Sequence, residues 1–331
     1  MHVFKKIGGL IAASLLLAGC SPQWRVLSPS GYIAGQEANL FWVVLAMSAV
    51  VFVLVDGGLV YIMIRNRSRK GDNTPPKQVY ENRALETIWT AIPVGIVLVL
   101  FIMTVVTMRA VAAPAPTKSD IKVNVIAHRW FWEFDYPDLG IKTASELHIP
   151  AGTNVQISLS SVDVIHSFWV PQLSGKTDVL PGQDNTMWLR SDQPGEYYGQ
   201  CAEFCGTEHA NMRFKVVVDT SASFTTWAAG MQKVPAAPTD ALAQQGQKLV
   251  TQGVCQGCHT IDGTNMKGVV GPNLTHLFSR SIFAGGFALT DANLTTWLED
   301  SASVKPESLM SGVHVPGGDV PAILAYLHTL K

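Results

Sequence analysis

Two long apolar runs, Leu40–Ile64 and Ile88–Met108, decide most of what this chain can be. Each is close to the ~20 residues that cross a bilayer core, where a helix satisfies its own backbone groups. Asp56 interrupts the first run toward its Arg-rich end, where water or a partner subunit would meet it, and the second run carries no charge. Between the runs, Arg65 to Arg83 holds six basic and two acidic residues, together with Gly71, Pro75 and Pro76. A short loop rich in Lys and Arg stays on the cytoplasmic side. The expectation is a helical hairpin, with its loop inside and everything after Arg109 outside.

The segment before the hairpin has the layout of a secretory signal over residues 1–19: Lys5 and Lys6, an apolar stretch from Ile7 to Leu17, then small residues. It ends L-A-G-C, and this ending resembles a bacterial lipoprotein box. Cleavage before Cys20 and a lipid on its sulfur would follow; an ordinary signal peptide with an incidental cysteine is the plainer alternative. The anchor then covers 20–117 and closes on A-A-P-A-P-T, a stiff linker.

Beyond it the periodicity changes. Ile121–Ile126, Val155–Leu159, Met187–Leu189 and Phe214–Val218 are short β-type runs punctuated by Gly, Pro and Asp. Many short strands with turn signals between them predict an all-β sandwich or Greek-key barrel over 118–233. W-F-W-E-F-D-Y, Trp130 to Tyr136, is an amphipathic strand whose aromatics would fill that core. A second Pro-bearing linker, 234–239, leads to about ninety residues, 240–331, small for an independent core.

The densest chemistry lies in Y-Y-G-Q-C-A-E-F-C-G-T-E-H-A-N-M, Tyr197 to Met212, with His166 supplied from a neighbouring loop. Thiolates from Cys201 and Cys205, imidazoles from His166 and His209 and the thioether of Met212 form a soft set that favours copper over magnesium, calcium or manganese. Two cysteines this close can bridge two metal ions, each with one histidine. The remaining positions would fall to Met212 and a backbone carbonyl, that of Glu203 being the best placed. A tetrahedral Cys2His2 zinc site uses the same residue types but leaves Met212 unexplained. A Cys201–Cys205 disulfide would leave both histidines without a purpose.

The last segment carries C-Q-G-C-H, the C-x-x-C-H haem attachment signature: Cys255 and Cys258 for the covalent links, His259 for the iron. All five cysteines of the chain thus have a chemical use. A formal net charge of −1 gives no basic footprint and excludes nucleic acid as a partner. From Lys118 onward, however, there are 14 basic and 20 acidic residues. That excess either steers a basic protein or serves solubility.

These motifs together resemble subunit II of a haem–copper cytochrome c oxidase with a fused C-terminal cytochrome c domain, the caa type. C-x-E-x-C-G-x-x-H-x-x-M matches the motif of the binuclear copper centre CuA, with ligands His166, Cys201, Glu203 through its carbonyl, Cys205, His209 and Met212. The resemblance implies a cupredoxin-like copper domain and an all-α class I cytochrome c domain holding haem c. It places the point where electrons come in on Trp130 or Trp132. It places a proton-pathway entrance on Glu86, within L-E-T-I-W-T, and a boundary carboxylate on Asp178. It also implies a magnesium ion on the Glu203 side chain at the boundary with subunit I.

In G-P-N-L, Gly271 to Leu274, the proline carbonyl would orient His259, and the segment from Val320 would be the closing helix. The second iron ligand would be Met310; Met266 lies too close to the attachment site, and His276 and His314 are fallbacks. Relatives usually read K-P-G-x-x-M-P here, so Glu307 and Ser311 are departures. The implied partners are subunit I and other oxidase subunits, membrane lipid, and cytochrome c or a cytochrome bc complex as donor. The implied location is the bacterial inner (cytoplasmic) membrane, with both soluble domains on the periplasmic or outer side. Oxygen reduction would occur in subunit I. A quinol oxidase subunit II lacks the copper ligands; a nitric oxide reductase subunit or a free-standing lipoprotein carrier would be told apart by what co-purifies.

Overall fold

The computed structural model describes residues 25–67, 78, 80–112 and 120–331; Cys20 and the signal segment lie outside them. Two compact units result, a helical one over Gly35–Pro114 and a second holding the remainder.

The helical unit is built from α1 (Tyr32–Arg65) and α2 (Arg83–Val111). Both outrun the apolar runs, and their 18-residue cores have mean hydropathies of 2.5 and 2.6. Large apolar side chains such as Phe52, Leu54, Ile64, Val97 and Phe101 stand exposed. Helices this apolar, with such side chains exposed along their length, are built for lipid as their solvent. The start of α2 is fixed locally: the Asn82 side chain accepts from the Leu85 amide, and Glu86 Oε1 accepts from the Asn82 amide at 3.2 Å. This reciprocal arrangement satisfies two otherwise orphaned donors. Arg109 in the last turn complements the helix dipole.

The second unit opens with a sandwich of two five-stranded sheets. One sheet has the order β3 (Ile141–Ala144), β2 (Phe131–Tyr136), β1 (Ile121–His128), β5 (Val155–Ser161), β8 (Asn185–Leu189). The other runs β4 (Glu146–Pro150), β10 (Arg213–Asp219), β9 (Gly195–Cys201), β6 (His166–Trp169), β7 (Thr177–Val179). The pairs β1–β5 and β4–β10 are parallel, and the other pairs are antiparallel. Inward positions alternate along the strands, and Trp132, Phe134, Tyr136, Phe168 and Phe214 fill the centre with no exposure. His166, expected from a loop, is instead the first residue of β6 and fully buried. Its strand pairs with β9 through Phe168 and Cys201, so sheet register itself brings histidine and cysteine together.

After the sandwich, α3 (Ser221–Met231) folds back onto it, burying Phe224, Ala228 and Met231. Its Trp227 stacks on His148 at 4.4 Å. The C-terminal domain follows with α4 (Ala241–Gln252), a two-residue pair β11 (Ile282–Phe283) and β12 (Phe287–Ala288), α5 (Asp291–Val304) and α6 (Val320–Leu327). Helix α4 crosses α6 at Gly246, where a Cβ would lie 1.8 Å from the Ala322 carbonyl oxygen, so only glycine admits the crossing.

The two soluble domains are docked. Glu146 of β4 accepts from the Ser281 amide at 2.7 Å, its hydroxyl at 2.6 Å and the Ile282 amide at 3.0 Å. Lys215 completes this contact, lying 3.4 Å from Glu146 and hydrogen-bonded to the Ser281 hydroxyl. Burial alone would raise the Glu146 pKa; hydrogen bonds from His148 and Ser281 and the Lys215 charge hold it at about 2.

Candidate copper and haem sites

Four short segments meet at one end of the sandwich. Cys201 ends β9, Cys205 lies in the loop after it, His209 begins a single 3-10 turn, and Met212 directly precedes β10. The two sulfurs are 3.7 Å apart, and both cysteines are free. Cys201 Sγ is 3.8 Å from His166 Nδ1 and 3.2 Å from the Glu203 carbonyl oxygen. Cys205 Sγ is 3.6 Å from His209 Nδ1 and 3.8 Å from Met212 Sδ. All six predicted donors therefore converge. Six donors that include two adjacent sulfurs exceed what a four-coordinate zinc uses, and the softness of the three sulfurs fits copper.

The thiols share one site and one negative charge. The hydrogen bond between them lowers the Cys201 pKa, and the same bond together with burial raises that of Cys205. His166 is oriented from behind: its Nε2 lies 2.8 Å from Asp163 Oδ1, which turns Nδ1 to the cluster. Asp163 also accepts from the Arg129 amide at 2.7 Å. Sequence reasoning missed Asp163. Its position three residues before a candidate ligand histidine, in D-V-I-H, was the available signal.

Trp130 and Trp132 separate clearly. Trp132 is wholly inside the core, edge-on to Phe168 at 5.4 Å and Phe214 at 5.5 Å. Trp130 lies at the rim and donates from Nε1 to the Cys205 carbonyl at 2.9 Å. The same indole helps line a second feature, an apolar cavity shared by both domains, whose walls include Cys255, Cys258, His259 and Met310.

That cavity fits haem. His259 Nδ1 lies 2.8 Å from the Pro272 carbonyl, so the proline orients the ring and leaves Nε2 for the iron. Burial lowers the His259 pKa and favours the neutral, ligating form. Met310 accepts from Trp297 Nε1 at 3.1 Å. Of the candidate second ligands, Met310 lines the cavity while Met266 is buried in the helical core. His276 is buried outside the lining, and His314 Nδ1 turns to the Glu299 carbonyl. Two buried polar atoms of cavity-lining residues, Arg280 Nε and Ser308 Oγ, have no hydrogen-bond partner among the described residues and are available to a polar edge of the cofactor. Asp178 is exposed on β7, and Glu203 keeps its side chain half exposed.

With the geometry established, comparison with known proteins decides the family. Residues 28–109 match the cytochrome c oxidase subunit II transmembrane domain, 140–220 its periplasmic domain, and 243–331 cytochrome c. Cytochrome c oxidase subunit 2 of Alkalihalophilus pseudofirmus is 35% identical, over 96% of this chain and 94% of that protein. The chain belongs to the cytochrome c oxidase subunit II family. The corresponding protein of Bacillus sp. strain PS3 is 37% identical, over 96% of this chain and 95% of its own length. Quinol oxidase subunit 2 of Bacillus cereus is 35% identical, over 72% of this chain and 84% of that protein. A subunit II with a copper domain, a haem domain and a membrane anchor accounts for every segment described above.

Proposed function

We propose that this chain brings electrons into an aerobic respiratory terminal oxidase, from a cytochrome c-type donor through haem c and CuA to the haem–copper site of subunit I. The observation that carries the reading is the convergence of three sulfurs, two imidazoles and one backbone carbonyl at one end of the sandwich, adjoining a cavity that holds C-x-x-C-H. When bound, the two cofactors supply one-electron centres; the chain's own residues fix, orient and shield them. Cys201, Cys205, His166, His209, Met212 and the Glu203 carbonyl would hold copper. Cys255 and Cys258 would bind haem covalently, with His259 and Met310 on its iron. Burial of His166, Cys201, Cys205 and Met212 keeps water from the cluster.

Trp130, rather than Trp132, is the bridging aromatic, because its indole touches both the haem cavity and the Cys205 carbonyl. Glu86, in the first turn of α2, is assigned to the proton-pathway entrance beside its capping role. The Glu203 carboxylate and Asp178 are assigned to the subunit I boundary, with magnesium on Glu203. The excess of Lys and Arg in the sequence between the helices supports assigning both soluble domains to the periplasmic face of the inner membrane.

The deciding experiment uses the full chain, purified with copper and haem. Two coppers and one haem per chain, with one unpaired electron shared over both coppers in the paramagnetic resonance spectrum, is the expected result. One copper, or zinc in its place, would overturn the copper assignment.

A further inference from the structure

Lys305 is an anomaly. Its side chain is among the largest that are fully buried, at 2% exposure, yet it carries an ammonium group. Lysine is almost never fully buried unless its charge is met. Here three backbone carbonyls meet it: Trp130 at 2.6 Å, Ala284 at 2.9 Å and Asn211 at 3.1 Å. An ammonium has three donors, so the group is fully satisfied. Two of those carbonyls belong to the copper domain and the third to its own domain.

Their positions matter. Trp130 is the residue whose indole holds the Cys205 carbonyl, and Asn211 directly precedes Met212. Lys305 itself stands five residues before Met310 in the same loop. One side chain therefore ties the loop of the proposed iron ligand to two backbone points beside the copper ligands.

Two residues on, Glu307 makes a second crossing. Its carboxylate accepts from Thr207 Oγ1 at 2.8 Å, and Thr207 lies between Cys205 and His209. Glu307 has φ of 61°, a left-handed conformation that glycine adopts freely and glutamate does not. The departure from the usual glycine thus strains the backbone and gains a contact between domains. The β11–β12 turn makes room for the arrangement. At Gly285 a Cβ would fall 2.2 Å from the Asn211 oxygen and 2.6 Å from the Lys305 amine. The Gly285 carbonyl accepts instead from the Arg213 amide at 3.0 Å.

We propose that Lys305 and Glu307 form a built-in clamp that fixes the haem-ligand loop against the copper-ligand loop, with Lys305 as its positioning residue. An apolar side chain of the same length would fill the space at lower desolvation cost. What the ammonium adds is directional: three carbonyls define where the loop sits. The clamp deepens the electron-transfer reading and rests on it for its purpose, though not for its existence.

The test compares the full-length wild type with Lys305→Met and with Glu307→Gly, all loaded with copper and haem. Two quantities are read: hydrogen exchange at the Arg213 amide, and the rate at which electrons equilibrate between haem and copper after rapid photoreduction. In Lys305→Met the exchange should speed up. The electron step should slow by several-fold, because the haem-ligand loop loses its fixed place against the copper-ligand loop. Haem and copper spectra should be unchanged. Glu307→Gly relieves a strained φ and folds readily, so it reports even if Lys305→Met does not fold; the same two changes are expected, smaller in size. Wild-type values for both quantities in Glu307→Gly and in any folded Lys305→Met would overturn the clamp. A wild type lacking copper or haem would instead sink the functional reading, and Arg213 exchange would still judge the clamp.

Discussion

Trp130 and Trp132 stand two residues apart on one aromatic stretch and occupy different surroundings. Trp132 is a core residue, and truncating it to alanine is expected to cost about 3–5 kcal/mol, the range for large aromatics in cores. The check is denaturant unfolding of the copper domain, in which a change under about 1 kcal/mol would contradict the burial argument. Trp130→Phe keeps most of the ring and loses the bond to the Cys205 carbonyl. Copper and haem content should hold while haem-to-copper transfer slows by several-fold, because the hydrogen-bonded link from the cavity wall to the Cys205 carbonyl is broken. Equal transfer rates would return the bridging role to Trp132.

Two neighbouring titratable residues make a pH prediction with opposite signs. Burial alone would lower the His148 pKa, but Asp219 at 2.8 Å and Glu146 outweigh it and raise the value above the ordinary 6.5. Stability from charged His148 is complete below pH 6.5 and is lost as pH rises through the raised value. Glu146 is held at about 2 against an ordinary 4.5, so its contribution is complete above pH 4.5 and lost as pH falls toward 2. Thermal midpoints should therefore peak between these limits. His148→Gln should flatten the alkaline limb and also shrink the acid limb, because His148 is one of the groups that hold Glu146 down; an unchanged alkaline limb would remove His148 from the account.

Among the elements, the crossing of α4 and α6 is the least tolerant. A methyl at position 246 meets backbone rather than a movable side chain. Gly246→Ala is expected to destabilise the haem domain by about 1–3 kcal/mol, the usual cost of overpacking. Haem absorbance during denaturant unfolding would report it, and an unaltered midpoint would show that the helices can separate freely.

Much of this architecture was legible because its signals are periodic or chemical. The apolar runs, several of the alternating strands, the converging donors of C-x-E-x-C-G-x-x-H-x-x-M and the haem signature read directly from the chain. Helix α3 did not, because S-A-S-F-T-T-W-A-A-G-M has weak intrinsic preference and is held by packing of Phe224, Ala228 and Met231. His166 looked like a loop residue because β6 is only four residues long and exists through its neighbours. Lys305 was illegible in principle, since a lone lysine in a loop is ordinarily solvated.

For the whole molecule, fusion of the domains changes where an external partner can act. Trp130 is only 6% exposed and its carbonyl is occupied by Lys305, so a soluble donor is expected to meet the haem domain rather than the copper rim. The sequence from Lys118 onward, with 14 basic against 20 acidic residues, suits a basic donor. Two steps should then respond differently to salt. Electron uptake from a basic cytochrome is a steered encounter, and it should slow as ionic strength rises past ~0.1 M, where the screening length is about 10 Å. The internal step crosses an interface of buried hydrogen bonds, which salt screens far less. Stopped-flow mixing with a basic cytochrome would separate the two by wavelength. Haem reduction should lead copper reduction and should be the salt-sensitive phase. Copper reduced first, or both phases falling together with salt, would mean that the donor reaches the copper domain directly or that the two domains part in solution.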